Sequence, residues 1–271
     1  MQIPIYQVDA FTSRVFAGNP AAICPLSEWL DADLLQAIAA ENNVSETAFF
    51  VRRGDRHQLR WFTPTVEVDL CGHATLASAW VIWNCLGAAD DQLVFDSRGG
   101  ELTVRRSGDL LTLDFPARPP ERCRPHPRLI EALGTQPVEV LASRDYLVVY
   151  AAEQDVRLLQ PNMELLATLD RFAVIATAPG GEVDFVSRFF APAQGVAEDP
   201  VTGSAHCTLI PYWSRRLGKP RLNARQVSQR GGELYCEDRG ERVWISGRAA
   251  LFLTGTLCLG EESPLATRAA Q

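Results

Sequence analysis

The sequence predicts an α+β protein built as two pseudo-symmetric halves. Three observations carry this. Short motifs recur in order at a nearly constant offset. Each copy sits in the same succession of strand-like segments, a Gly-led apolar helix and an alternating hairpin. A proline-rich stretch separates the copies.

The repeat is specific. Arg60-Trp61-Phe62-Thr63-Pro64 is echoed by Arg188-Phe189-Phe190-Ala191-Pro192, Gly72-His73-Ala74-Thr75 by Gly203-Ser204-Ala205-His206, and Gly99-Gly100-Glu101-Leu102 by Gly231-Gly232-Glu233-Leu234. The offsets are all about 130 residues, a period that means two domains and not a solenoid.

Strand-like segments open each half: Ile3 to Phe11, Ala48 to Arg52 and Gln58 to Thr63, then Tyr146 to Ala151, Phe172 to Ala176 and Asp184 to Phe190. β-branched and aromatic side chains dominate them. A Pro-containing loop and a Gly-small start lead into an apolar helix in each half. These helices are expected over Gly72 to Leu86 and Gly203 to Arg216, the second bent at Pro211. Alternating strands follow. Leu102 to Arg105 and Leu111 to Phe115 bracket Ser107-Gly108-Asp109, while Glu233 to Cys236 and Val243 to Ser246 bracket Asp238-Arg239-Gly240.

Two amphipathic helices lie outside this skeleton, Leu30 to Glu41 and a short one from Arg128 to Leu133 ending at Gly134. Pro116 to Pro127 carries five prolines and no apolar rhythm. The N-terminal domain is therefore expected over 1–118, the linker over 116–127 and the C-terminal domain over 128–257. Residues 258–271 are free to join the first domain, and the strand Leu251 to Leu257 fits either half.

The chain has 271 residues, 46% of them apolar and 22% charged. That excludes a disordered chain, a collagen and a coiled coil. A net charge of −7 disfavours nucleic acid and anionic membranes as partners. The start MQIPIYQVDAF has no basic region ahead of an apolar one, so no signal peptide is expected. The uncharged stretch Cys71 to Ala89 contains Gly72, His73, Thr75, Ser78, Asn84 and Gly87, which suits a buried helix better than a membrane span. Seven widely spaced cysteines without a CxxC fit reduced thiols and a cytoplasmic location. Four histidines form no HExxH and no His/Cys ladder, so no metal site is expected. With no GxGxxG, P-loop or GxSxG, no nucleotide or nicotinamide cofactor is expected either.

The residues able to do chemistry cluster at the repeats. Gly72-His73 and Gly203-Ser204 begin helices, whose first turns offer unpaired N–H groups and a partial positive charge. Two such starts would suit a small carboxylic acid; packing at a strand–helix corner is the plainer reading. Asp199 precedes the second helix, either to cap it or to meet a ligand. Glu46, where a polar stretch enters an apolar strand, is a candidate acid–base group, because apolar walls can raise a carboxyl pKa. It has no repeat partner, so a single proton shuttle fits better than a symmetric pair. Cys71 in register with the repeat faces Thr202, so one half of a thiol pair is missing.

Taken together, Val8-Asp9-Ala10-Phe11, Gly18-Asn19-Pro20, Ser45-Glu46-Thr47-Ala48-Phe49, Cys71-Gly72-His73-Ala74-Thr75 and Glu198-Asp199-Pro200-Val201-Thr202-Gly203-Ser204-Ala205 resemble the phenazine-biosynthesis PhzF-like isomerase family. Five motifs in the right order make the match specific. The resemblance implies a fold shared with diaminopimelate epimerase and proline racemase, each half a barrel-like, mostly antiparallel sheet around a central helix. It implies a homodimer and no cofactor. It makes Glu46 the proton shuttle, and His73 and Asp199 substrate-positioning residues. It gives Gly203 and Ser204 a share in holding a carboxylate, with Gly72 and Asn19 among the orienting residues. The namesake isomerises a dihydro-hydroxyanthranilic acid.

The expected function is thus a cofactor-independent isomerase that shifts a proton within a small, cyclic or unsaturated carboxylic acid. An amino-acid racemase or epimerase using Cys71, and a non-catalytic metabolite-binding or partner-binding protein, are the alternatives.

Overall fold

The computed structural model describes residues 1–260. The chain divides into two compact units. Residues 1–113 and, of the described residues, 248–260 form the first; Asp114–Gly247 form the second.

In the first unit the elements are β1 (Gln2–Ala10), β2 (Asn19–Leu26), α1 (Ala32–Asn42), β3 (Glu46–Arg53), β4 (Arg56–Phe62), β5 (Glu67–Val68), α2 (Gly72–Asn84), β6 (Gln92–Ser97), β7 (Gly100–Ser107) and β8, which begins at Leu110 and ends at Pro116. The second unit contains β9 (Glu121–Arg122), α3 (Leu129–Leu133), β10 (Glu139–Ala142), β11 (Tyr146–Val149), α4 (Glu153–Arg157), α5 (Met163–Leu166), β12 (Val174–Pro179), β13 (Phe185–Ala191), β14 (Val196–Asp199), α6 (Gly203–Leu217), β15 (Arg221–Gln226), β16 (Gly232–Asp238) and β17 (Arg242–Gly247). The chain then returns to the first unit as β18 (Ala249–Cys258).

Pairing repeats strand for strand. In the first unit the order is β18-β1-β2-β3-β4-β6-β7-β8, with β5 also on β4; every step is antiparallel except β2–β3 and β4–β6. In the second it is β9-β10-β11-β12-β13-β15-β16-β17, with β14 on β13; the parallel steps are β11–β12 and β13–β15. Parallel neighbours need a crossover, and each crossover carries helix. α1 and α2 serve the first unit; α4 with α5, and α6, serve the second.

α2 is buried on nearly every face, from Gly72 through Ala79 and again at Val81, Ile82 and Trp83. It packs on β1, β2, β3, β7 and β18 of its own unit. This accounts for an apolar helix with no polar stripe. Among the described residues, no helix is long and apolar enough to cross a membrane.

The domain limits differ from the expected ones in two places. Ala249–Cys258 pairs along the whole of β1, so most of the stretch assigned to the C-terminal domain after Gly247 belongs to the first unit. Its terminal residues 261–271 lie outside the described part. The Pro116–Pro127 segment is also no free linker. Pro211 inside α6 has no N–H for the carbonyl four residues back, Cys207, and the backbone N–H of Arg118 fills that place at 2.8 Å. Ala117 bonds Glu241, and β9 extends the sheet at β10. Proline content signalled an absent helix, not an absent partner.

Candidate active site

Three element starts of the first unit meet at one point. β2 and β3 run parallel with Ala21 opposite Glu46, so Asn19 and Glu46 stand at the same end of the sheet. Gly18 sets up this end. It adopts φ +65°, and a Cβ there would collide with the Ala10 carbonyl, so only glycine makes the turn into Asn19. Asp9, buried at the end of β1, accepts the Phe16 N–H at 2.9 Å and pins the intervening loop. α2 then presents His73 as its second residue, directly after Cys71 and Gly72.

Nε2 of His73 lies 3.0 Å from Oε2 of Glu46, with the side chains 5% and 17% exposed. The two atoms are at ion-pair distance but are not aligned for a hydrogen bond. On the other side of the ring, Nδ1 is 3.2 Å from Nδ2 of Asn19 and 3.5 Å from the Cys71 sulfur. Burial alone would push the His73 pKa down. The electrostatic pull of Cys71 and Glu46 outweighs burial and holds it well above the ordinary 6.5. Burial, helped by the Glu46 charge, pushes the Cys71 thiol up to about 11. A neutral thiol cannot support an imidazolium, so at neutral pH Glu46 provides that support.

The start of α2 has no side-chain cap; Cys71 is the N-cap and makes none. Its carbonyl is occupied by Thr75 Oγ1 at 2.6 Å. Gly72 is buried in the first turn.

The second unit repeats the frame with other side chains. Thr202 is the N-cap of α6, again without a side-chain cap bond to the helix. Its hydroxyl donates to Oδ2 of Asp199 at 2.6 Å, and Gln226 accepts its N–H at 2.9 Å. Asp199 thus braces the turn before α6, which fits the local reading; its orienting role is a separate matter. Gly203 and Ser204 open the helix. Ser204 Oγ accepts a hydrogen bond from Arg144 at 3.3 Å, and Arg144 is forked onto Asp145 at 2.9 and 2.8 Å and stacked over Phe172.

The motifs therefore led to Glu46, His73 and Asn19 as one cluster and to Asp199, Gly203 and Ser204 as another, each within its own unit. Gln226 and Arg144 were not anticipated. Gln226 ends the unrecognised strand β15 and Arg144 lies in the turn between β10 and β11; neither carries a sequence signal. The approach of Cys71 to His73 was also not expected. It gives the first unit three donor groups, Glu46, Cys71 and His73, each with one ligand atom within 4.8 Å of the others. A surface cavity of about 550 Å³ lined by Trp80, Arg106, Asp109 and Arg248 includes none of them. Its arginines are paired with Asp91 and Asp109.

Fold and site define an epimerase-like α+β protein that carries a buried acid–imidazole pair. The chain belongs to the phenazine biosynthesis-like (PhzC-PhzF) family, whose model matches residues 8–255. It is 56% identical over 259 residues to an uncharacterized isomerase of Pseudomonas aeruginosa, covering 96% of this chain and all of that one. The crystal structure of a PhzF-family phenazine biosynthesis protein from Enterococcus faecalis superposes with a TM-score of 0.94 at 48% identity, over 96% of this chain and all of that chain. A probable proline racemase from Agrobacterium radiobacter matches with a TM-score of 0.66 at 10% identity, over 97% and 95% of the two chains; that likeness is one of fold.

Proposed function

We propose that the protein is an isomerase that shifts a proton between two carbons of a small unsaturated carboxylic acid, with Glu46 as the shuttle and no cofactor. The observation that carries this is the buried Glu46–His73 pair at 3.0 Å. The Glu46 carboxylate takes a proton from a carbon next to the unsaturated system and becomes the carboxylic acid. The electron pair left behind spreads into the substrate. The protonated Glu46 then returns the proton to another carbon, and the carboxylate is restored.

His73 holds a positive charge beside this exchange, where negative charge develops on the substrate. Asn19 stands 3.2 Å from the ring's other nitrogen; a charged ring donates from that nitrogen, so the amide turns its oxygen to accept. The uncapped first turn of α2 at Gly72 is the carboxylate-holding group of this reading. Membership of a family with relatives named isomerases supports the reaction class.

The experiment is solvent exchange. A panel of cyclic and unsaturated carboxylic acids, dihydro-hydroxyanthranilic acid among them, is incubated with the protein in D2O and followed by NMR. Deuterium enters one position as the double bond moves. Glu46→Gln keeps the shape and removes the base, and should slow the exchange by at least about a hundredfold. Wild-type exchange in that variant would remove Glu46 from the role. Binding without exchange across the panel would favour a metabolite-binding protein.

A further inference from the structure

We propose that the protein pairs with a second copy of itself along β18, antiparallel about a two-fold axis at Gly255. This goes beyond the isomerase reading and does not depend on it.

β18 ends the sheet of the first unit. On one side it pairs with β1; among the described residues, no strand is paired with its other side. Such an edge presents unpaired N–H and C=O groups and is a template for another strand, so proteins blunt it with charge, proline or a bulge. The ten residues of β18, Ala249–Cys258, include no charge and no proline. The one shift in its register falls between Gln7 and Val8 of β1. From Leu253 to Cys258 the pairing with β1 is unbroken, so this stretch keeps the regular ladder that a further strand needs.

The same stretch is open. Phe252 to Thr256 are all exposed, Phe252 by 43% and Leu253 by 42%. Phe16, 72% exposed, packs edge-to-face on Phe252 at 5.5 Å and enlarges the apolar surface. Two aromatic rings and a leucine beside an uncharged edge mark a surface that a partner covers.

The order of residues selects a second copy as that partner. Leu253-Thr254-Gly255-Thr256-Leu257 reads the same in both directions. With Gly255 opposite Gly255, Thr254 of one copy meets Thr256 of the other and Leu253 meets Leu257, each pair occurring twice. Hydroxyl then faces hydroxyl and apolar faces apolar, the favourable cross-strand match. The faces agree as well. The β1 register puts Leu253, Gly255 and Leu257 on the side of Ile3 and Ile5. Ile3, Ile5 and Leu257 belong to the apolar cluster that includes Leu34, Leu35 and Ile38 of α1. Leu253 of the second copy, set beside Leu257, extends that core. A slip of one residue would set threonine against leucine. The contact uses the free side of β18 in both copies and closes there, giving a dimer and not a fibre.

The test is the mass of the intact, reduced protein in solution by light scattering. The wild type is expected at the mass of two chains. The double variants Thr254→Lys/Thr256→Lys and Thr254→Glu/Thr256→Glu change exposed positions only and set like charges opposite each other. Each should run at the mass of one chain, and an equimolar mixture of the two should return to the mass of two. Oxidation reads the register. In a Cys258→Ser background, Gly255→Cys should cross-link two chains, because opposed Cα atoms stand about 4.5–5.5 Å apart, within disulfide reach; Thr254→Cys should not. The melting transition of each variant reports its folding. A one-chain mass for the wild type overturns the proposal. So does a two-chain mass for the folded lysine variant, or cross-linking of Thr254→Cys in place of Gly255→Cys.

Discussion

Cys71 and Thr202 hold the same position in the two units, the residue just before the first turn of the buried helix. In the first unit the thiol lies 3.5 Å from His73; in the second the hydroxyl is tied to Asp199 at 2.6 Å. The next position but one differs as well, His73 against Ser204. Duplication supplied one backbone frame twice, and the side chains at the helix start gave the two copies different chemistry. A pair of thiols at these positions is not available, so in the proposed reaction the acid–base work falls on Glu46.

Cys71 is then a supporting group. With the thiol pushed up to about 11 by burial, little thiolate exists at neutral pH. Cys71→Ala is expected to cost the exchange reaction less than about tenfold, well short of the loss for removing a general base. Exchange rates of the two variants on the same acid decide this. A larger loss for Cys71→Ala than for Glu46→Gln would revive the racemase-like reading.

The repeated arginines should differ in weight. Arg60 forks onto Glu67 at 2.7 and 2.9 Å, and Arg188 onto Glu198 at 2.7 and 2.8 Å. Arg188 does more, since its remaining nitrogen donates to the carbonyls of Val156 and Leu159 at 3.2 and 2.7 Å. A lysine can serve one of these groups and not all. Arg188→Lys should lower stability by about 2–3 kcal/mol, through the loosened Glu198 pair and the Leu159 carbonyl left without its donor. Arg60→Lys should cost less than half of that. Urea unfolding of the two single variants checks the order, and equal losses would contradict it.

These arginines also show how far the sequence could be read. Arg60 and Arg188 were visible as repeated letters, and the repeat gave two domains and both buried helices. Their glutamate partners were not visible, because β5 and β14 are too short to leave a period. The strands β2, β6, β10 and β15 went unseen for a related reason. Gly, Pro, Asn and Asp in or beside them blur the alternation, and the parallel pairings of β2, β6 and β15 are long-range. Glu46 and His73 were legible from their motifs. That they sit 3.0 Å apart follows from the β2–β3 register and from a helix start several elements later, which no local spacing encodes. The path of β18 is likewise decided by the free edge of β1.

His206 gives a prediction on acid stability. It is fully buried in α6, with Nδ1 2.8 Å from the Thr202 carbonyl and its ring beside Phe185. Burial pushes its pKa down to about 4, against a weaker upward pull from the Thr202 bond. The sign follows. Between about 4 and 6.5 the unfolded chain binds this proton and the folded chain does not, so stability falls as pH falls through that window. The full loss is roughly 3 kcal/mol, reached below about pH 4. His57, lowered by burial and by Arg52, works in the same direction, so the wild-type slope alone does not isolate His206. His73 does not interfere through most of the window, because a raised pKa leaves it protonated in both states there. His206→Gln can keep a bond to the Thr202 carbonyl and cannot titrate. Its unfolding free energy should fall less steeply with pH, by up to about 1.4 kcal/mol per pH unit near pH 5. Urea unfolding of both proteins from pH 4 to 7 measures the difference. Parallel slopes would mean that His206 takes up no extra proton on unfolding.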